Sequence, residues 1–258
     1  ARGLKGTFFV ITNPGWISGH VSWATWQDVA DQGHEIASHT VNHYYPLTTY
    51  PESTVRLEFS TSRSDIDAHI SGQSALTIAY PGTISNAFVQ AIASDYYVAG
   101  RGGWAKEGGY INYYDSGSDP YGTWSPVNFY DVGSMDMDGL DMNDADFNSR
   151  LDRALLRNGW FLIHFHEIPD INTYENILDY IQGKQGYWID TFSNVARYMK
   201  ERLNSTIQVT THTESEIRLQ IVMDASLPTS IYNVPLTIRS TVPASWSQVI
   251  IQQGSSSQ

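Results

Sequence analysis

His39 and His43 stand four residues apart in Gly33-His34-Glu35-Ile36-Ala37-Ser38-His39-Thr40-Val41-Asn42-His43, and neutral imidazole is the commonest protein ligand for a divalent metal. If the segment after Ser38 is helical, the two rings lie about 40° apart around the axis and project from one face as a bidentate clamp. A zinc-protease His-Glu-x-x-His helix does not fit, because His34 and His39 are five apart, about 140° round a helix, and cannot share one ion. The plain alternative is a pair of polar residues capping a surface helix. A second pair, His164 and His166, lies in Trp160-Phe161-Leu162-Ile163-His164-Phe165-His166-Glu167-Ile168, an apolar run that reads as a buried strand with both histidines on one face.

The elements that must position these residues alternate between strand and helix. Lys5 to Ile11 is β-branched and aromatic and reads as a buried strand, ended by the Asn13-Pro14-Gly15 turn. Ser22 caps a helix with an apolar stripe of Trp23, Trp26, Val29 and Ala30, closed by Gly33, and a strand from Glu35 to Ser38 then delivers the histidines. Chemistry at the carboxyl end of the second strand of a βαβ unit is the logic of a parallel sheet or barrel. From Pro51 a helix carries Val55, Phe59, Ile66 and Ile70, with Glu52, Glu58, Arg63, Asp65 and Asp67 read as its solvated face. A strand from Leu76 to Ala79 ends at Tyr80-Pro81-Gly82-Thr83. Ser85 or Asn86 caps a helix with Phe88, Val89 and Ile92, and Tyr96 to Ala99 is the next strand.

From Gly100 to about Leu140 the pattern dissolves into Gly, Asp, Ser, Asn and aromatic residues, too long for an idle connector and suited to a functional surface loop. Asp136, Asp138, Asp141, Asp144 and Asp146 resemble a calcium loop only loosely, without its Gly and closing Glu, and solvated acids with a helix cap near Asn143 are the simpler reading. Phe147, Leu151, Ala154 and Leu155 mark a helix stopped by Gly159. Helices around Tyr174 to Ile181 and Thr191 to Leu203 close the unit. Beyond Ser205 the pattern changes to strands at Ile207 to Thr211, Glu216 to Met223, Asn233 to Ser240 and Gln248 to Gln252, an appended antiparallel β module.

The 258 residues, 41% hydrophobic, suffice for one main domain with a small appendage, here divided as 1–204 and 205–258. Fifteen basic against 27 acidic residues give a net charge of −12, which argues against nucleic acid and anionic membrane surfaces as partners. The absence of cysteine removes any disulfide framework or thiol nucleophile, and no apolar run approaches membrane-spanning length. The chain opens on Ala1 without an initiator Met or signal peptide and closes in low-complexity sequence, which reads as a fragment cut at both ends.

Taken together, Lys5-Gly6-Thr7-Phe8-Phe9-Val10, the Trp-containing helix and the Gly-His-Glu-Ile-Ala-Ser-His-Thr block resemble the polysaccharide deacetylase family, carbohydrate esterase family four, with its NodB-homology domain. The resemblance spans about residues 3 to 200. It implies an α/β fold, a distorted (β/α) barrel of about seven strands, and a divalent metal, zinc by preference, held by His39 and His43. Ala79-Tyr80-Pro81-Gly82-Thr83 corresponds to the family's Arg-x-Pro-Tyr-Gly strand end with Ala79 in place of Arg, as in members reading Ala-Tyr-Pro. The Gly82 backbone N–H would then face an oxyanion, with Tyr80 beside it, although an ordinary strand-end turn reads equally well. Arg101 and Trp104 fall where members carry a charged and aromatic wall, and Arg101 is placed to replace the missing guanidinium. His166, at the exit of its strand, matches the catalytic histidine, with His164 a buried neighbour. The family's Thr-Phe-Asp-Asp-Gly strand, which supplies the general base and third metal ligand, has no counterpart. No Asp-Asp pair occurs in the chain, so the first strand is expected to be missing and hydrolysis impaired.

The implied activity is metal-assisted removal of acetyl groups from an N-acetylglucosamine polymer or an acetylated xylan, in an extracellular or periplasmic, cell-envelope setting. Two other classes compete. A barrel glycosidase needs two carboxylates across one bond, for which Glu35 and Glu167 are the available pair. A non-catalytic carbohydrate-binding relative is compatible with the missing aspartates.

Overall fold

The computed structural model describes residues 2–13, 15, 21–103, 110–119, 122–138, 145–168, 170–253 and 256–257. The first half is a run of parallel βα units. Strands β1 (Thr7–Val10), β2 (Glu35–Ser38), β3 (Thr77–Ala79) and β4 (Ala99–Arg101) form one parallel sheet in that order, with Thr7 against Glu35, Ser38 against Ile78 and Ala79 against Arg101. The connecting helices are α1 (Trp23–Asp31), α2 (Glu52–His69) and α3 (Ala87–Ser94). Their starts are chemically specified: Ser22 Oγ accepts from the Thr25 N–H at 3.2 Å and Asn86 Oδ1 from the Val89 N–H at 3.0 Å. Gly33, at φ 85°, turns the chain from α1 into β2.

Two apolar clusters hold the helices to this sheet. Val10, Ile36, Ile66, Ile70 and Ala75 pack with Trp23, Trp26, Val29 and Ala30. Leu47, Val55, Phe59, Ile78, Tyr80, Val89, Ile92, Ala93 and Tyr97 form the other. The buried positions of α2 are Val55, Glu58, Phe59, Ser62 and Ile66, a helical stripe that includes a carboxylate. Glu58 therefore does not lie on the solvated face to which its charge assigned it.

Beyond β4 the strands are short and pair locally: β5 (Ile111–Asn112), β6 (Gly117–Asp119), β7 (Gly122–Trp124) and β8 (Met135–Asp136) precede α4 (Ala145–Leu156). The apolar run after Gly159, expected as one strand, divides into β9 (Trp160–Phe161), antiparallel to β5, and β10 (Ile163–His164), parallel to β8. Helices α5 (Ile171–Gly183) and α6 (Phe192–Leu203) follow. Among the described residues the continuous sheet has four strands and not the seven of a barrel.

The chain divides into compact units Ala1–Ala196 and Arg197–Gln258, a boundary within α6, where the sequence placed it at 205. In the second unit β11 (Ser205–His212) and β12 (Ile217–Met223) make the expected antiparallel hairpin. Asn233 to Ser240 is not a strand; Pro235 removes a ladder donor there. Of Gln248 to Gln252 only the end is retained, as β13 (Gln252–Gln253) paired with β14 (Ser256–Ser257).

Candidate metal centre and histidine cluster

The chain leaves β2 as a loop and not as a helix. Thr40 and His43 both adopt left-handed conformations, φ 67° and 54°, which non-glycine residues hold only when their surroundings impose it. Several hydrogen bonds do so. Ser38 Oγ accepts from the Thr40 N–H at 3.2 Å and Thr40 Oγ1 from the His43 N–H at 3.0 Å. Thr12 and Asn13 N–H groups donate to the carbonyls of Thr40 and Val41. The Glu58 carboxylate accepts from the Val41 and Asn42 N–H groups at 3.0 and 2.8 Å and from Asn42 Nδ2 at 2.6 Å.

By this route the two imidazoles still converge, their ring centroids 4.7 Å apart at 73°. His39 Nδ1 lies 2.8 Å from the Ala79 carbonyl, which can only accept; Nδ1 therefore carries the proton and Nε2 keeps its lone pair. Burial first, then the charges of Arg101, His43 and His166, pushes the His39 imidazole down to about 3. His43 is lowered as well, by burial and then by His166. Both rings are thus neutral at physiological pH, the form a metal requires. The donor set suits a borderline divalent ion such as zinc.

The second histidine pair is built from β8, β10 and the residues after them. Asp136 pairs with His164 in the β8–β10 register, and Asp136 Oδ2 lies 3.8 Å from both His164 Nε2 and His166 Nδ1. Asp138 takes the shorter contacts: His166 Nδ1 donates to Oδ2 at 2.6 Å and the His166 backbone N–H to Oδ1 at 2.9 Å. Burial alone would raise Asp138, but these donors hold it below the ordinary carboxylate range. His166 is thereby fixed in one tautomer, with Nε2 as its working atom and its side chain 58% exposed. His164 is the opposite case: both ring nitrogens are buried without a hydrogen-bond partner, and burial lowers it to about 4. Among the described residues, ligand atoms of Asp136, His164 and His166 form the set of three close enough to share an ion, within 4.8 Å of one another. His39 and His43 gain no third ligand of this kind there, from His166 or from a carboxylate.

The remaining candidates fall in different places. Arg101 is a β4 residue and not a loop residue, 5% exposed, with Nε and Nη1 unpartnered and the guanidinium 5.7 Å from the Phe9 ring centre. Burial lowers it to about 10 while Asp136 opposes the shift. Gly82 sits at φ 61° against the Tyr45 ring, which would have to shift to admit a Cβ there. Tyr80 does not line a substrate surface: it is fully buried and its hydroxyl donates to the Tyr130 carbonyl at 2.9 Å. Trp104 lies outside the described residues, as do Asp141 and Asp144 of the loosely calcium-like stretch.

Glu35 begins β2, at the end remote from His39. Its carboxylate accepts from Thr7 Oγ1 (2.7 Å), Thr77 Oγ1 (2.6 Å) and the Ser193 N–H (2.9 Å), tying three strands to the start of α6. Burial raises its pKa, which these donors oppose. Glu167 is exposed, and the two do not form a glycosidase pair. The acids that sequence reasoning missed are Asp138 and Glu58. Met135-Asp136-Met137-Asp138 alternates apolar and acidic, which puts both acids on one face of an extended segment, and Glu58 shares the α2 stripe with Val55 and Ser62.

Residues 1–99 match the sequence profile of the family described as polysaccharide deacetylase. Over those residues the chain is similar to polysaccharide deacetylases. A gellan lyase from a Bacillus species is 26% identical over 96% of this chain, which spans 10% of that relative's length. A solved candidate polysaccharide deacetylase from Mycobacterium smegmatis superposes with a TM-score of 0.53 at 17% identity, covering 78% of this chain and 73% of that one. That similarity establishes the α/β polysaccharide deacetylase fold. A wild-type family-four pseudoenzyme from Bacillus anthracis is also similar, with a TM-score of 0.46 at 14% identity over 75% of this chain and 56% of its own.

Proposed function

We propose that this chain is the acetyl-removing domain of a protein that acts on polysaccharide, hydrolysing acetyl groups from an N-acetylglucosamine polymer or an acetylated xylan in a metal-dependent reaction. The observation that carries the reading is the convergence of two neutral imidazoles, His39 and His43, both lowered first by burial and in part by the charge of His166, an exposed histidine held by Asp138. The gellan lyase relative supports a polysaccharide substrate, and a setting outside the cell or in its envelope suits such polymers. On this reading the four-stranded sheet is part of a (β/α) barrel of about seven strands.

His39 through Nε2, together with His43, would hold the ion, with zinc the first choice. When bound, such an ion polarises an acetyl carbonyl and acidifies a water molecule. His166 Nε2 takes a proton from the attacking water and passes it to the departing sugar amine or hydroxyl, and the Asp138 carboxylate stabilises the doubly protonated ring between the two transfers. The Gly82 N–H, at the exit of β3, is the oxyanion donor we assign. Arg101 adds fixed positive charge beside His39 and His164. Two imidazoles hold a divalent ion more weakly than a His₂–carboxylate set, so the reaction on these residues alone is slow.

One observation favours a second reading, carbohydrate binding without hydrolysis: among the described residues no carboxylate joins His39 and His43 as a third ligand. Acetate release from chitin oligomers and acetylated xylan, with zinc and with chelator, separates the two. Chelator-sensitive acetate release with the polymer length intact supports the deacetylase. Glycan binding without acetate under all conditions refutes it.

A further inference from the structure

We infer that Glu58 is a positioning residue for the histidine pair: its buried carboxylate fixes the loop between His39 and His43 and so sets where the two rings meet. The inference rests on the metal reading of that pair. Glu58 is 3% exposed on the buried stripe of α2, and both of its oxygens are used. Its donors are the backbone N–H groups of Val41 and Asn42 and the Asn42 amide, all within the loop between the two imidazoles. Without those bonds two backbone N–H groups lose their acceptor, and the left-handed turns at Thr40 and His43 lose one of their restraints, the others being the bonds from Thr12, Asn13, Ser38 and Thr40. Asn42 is held from its other side by Asn13, whose Nδ2 donates to Asn42 Oδ1 at 2.8 Å. The clamp therefore joins α2, the loop and the exit of β1, and the histidines inherit its precision.

The experiment measures zinc affinity by competition with a chromophoric chelator on the full chain carrying His164→Ala, which removes the neighbouring three-ligand group. Glu58→Ala is expected to weaken zinc about 10- to 100-fold, the range typical of groups that orient metal ligands. Glu58→Gln keeps one acceptor oxygen for the backbone donors and turns an amide toward Asn42 Nδ2, and is expected to fall between wild type and Glu58→Ala. Thermal melts of the same samples without metal report folding. A lowered melting temperature with zinc affinity unchanged in the still-folded variants would overturn the positioning role and leave a structural one. Should Glu58→Ala not fold, Glu58→Gln and Asn42→Ala decide the matter by the same readout. If His39→Ala and His43→Ala also leave zinc affinity unchanged, it is the metal reading that fails.

Discussion

Lowering the pH from 7 to 5 distinguishes this buried pair from two ordinary surface histidines, because protons and metal compete for the same nitrogens. Two unperturbed imidazoles with pKa near 6.5 would each lose about 25-fold in apparent affinity over that interval, about 600-fold together. His39, pushed down to about 3, is unprotonated at both pH values and contributes essentially none of that loss. His43 is also lowered, so its share is smaller than the ordinary about 25-fold. The expected total is therefore less than about 25-fold, measured as the zinc dissociation constant by chelator competition at the two pH values. His164→Ala serves as background and His39→Ala as control. A loss of several hundredfold would show that both rings titrate as if in water, and would refute the burial argument.

Other outcomes follow from the same geometry. Asp138→Asn removes the carboxylate that stabilises charged His166 and should lower the rate of acetate release about 10²-fold while leaving zinc affinity within threefold; an unchanged rate would remove His166 from the reaction. Glu35→Ala leaves Thr7, Thr77 and the Ser193 N–H without their acceptor and should destabilise the fold by about 3 kcal/mol in urea unfolding, with zinc affinity retained. The metal-free protein should lose stability as pH falls from about 6.5 toward about 3, at up to about 1.4 kcal/mol per unit from His39. Its folded pKa lies below its unfolded one, so the stabilisation is complete above the unfolded value and lost in acid, and His39→Gln should flatten that slope.

Much of this arrangement was legible in the residues. Caps at Ser22 and Asn86, Gly33 after α1 and the apolar runs of β1 to β3 are local signals, and each element lies within a few residues of its expectation. The proximity of His39 and His43 was also legible, but for the wrong reason. By itself the four-residue spacing brings the rings together only if the segment is helical, whereas the rings meet because Thr40 and His43 turn left-handed under constraints that include Thr12, Asn13 and Glu58, all distant in sequence. The charge of Glu58 points to solvent; the α2 periodicity, which places it beside Val55 and Ser62, is the better guide. Asp138 could not be joined to His166 from sequence, since that contact depends on the β8–β10 pairing across 28 residues. Arg101 was misplaced on a loop because the strand was expected to end at Ala99, and β4 continues through it.

The most direct test of the central claim is the position of a zinc ion located by anomalous diffraction in crystals of the full chain. The account predicts a peak about 2.1 Å from His39 Nε2 and shared with His43. A peak bound only by Asp136, His164 and His166, with nothing between His39 and His43, would contradict it.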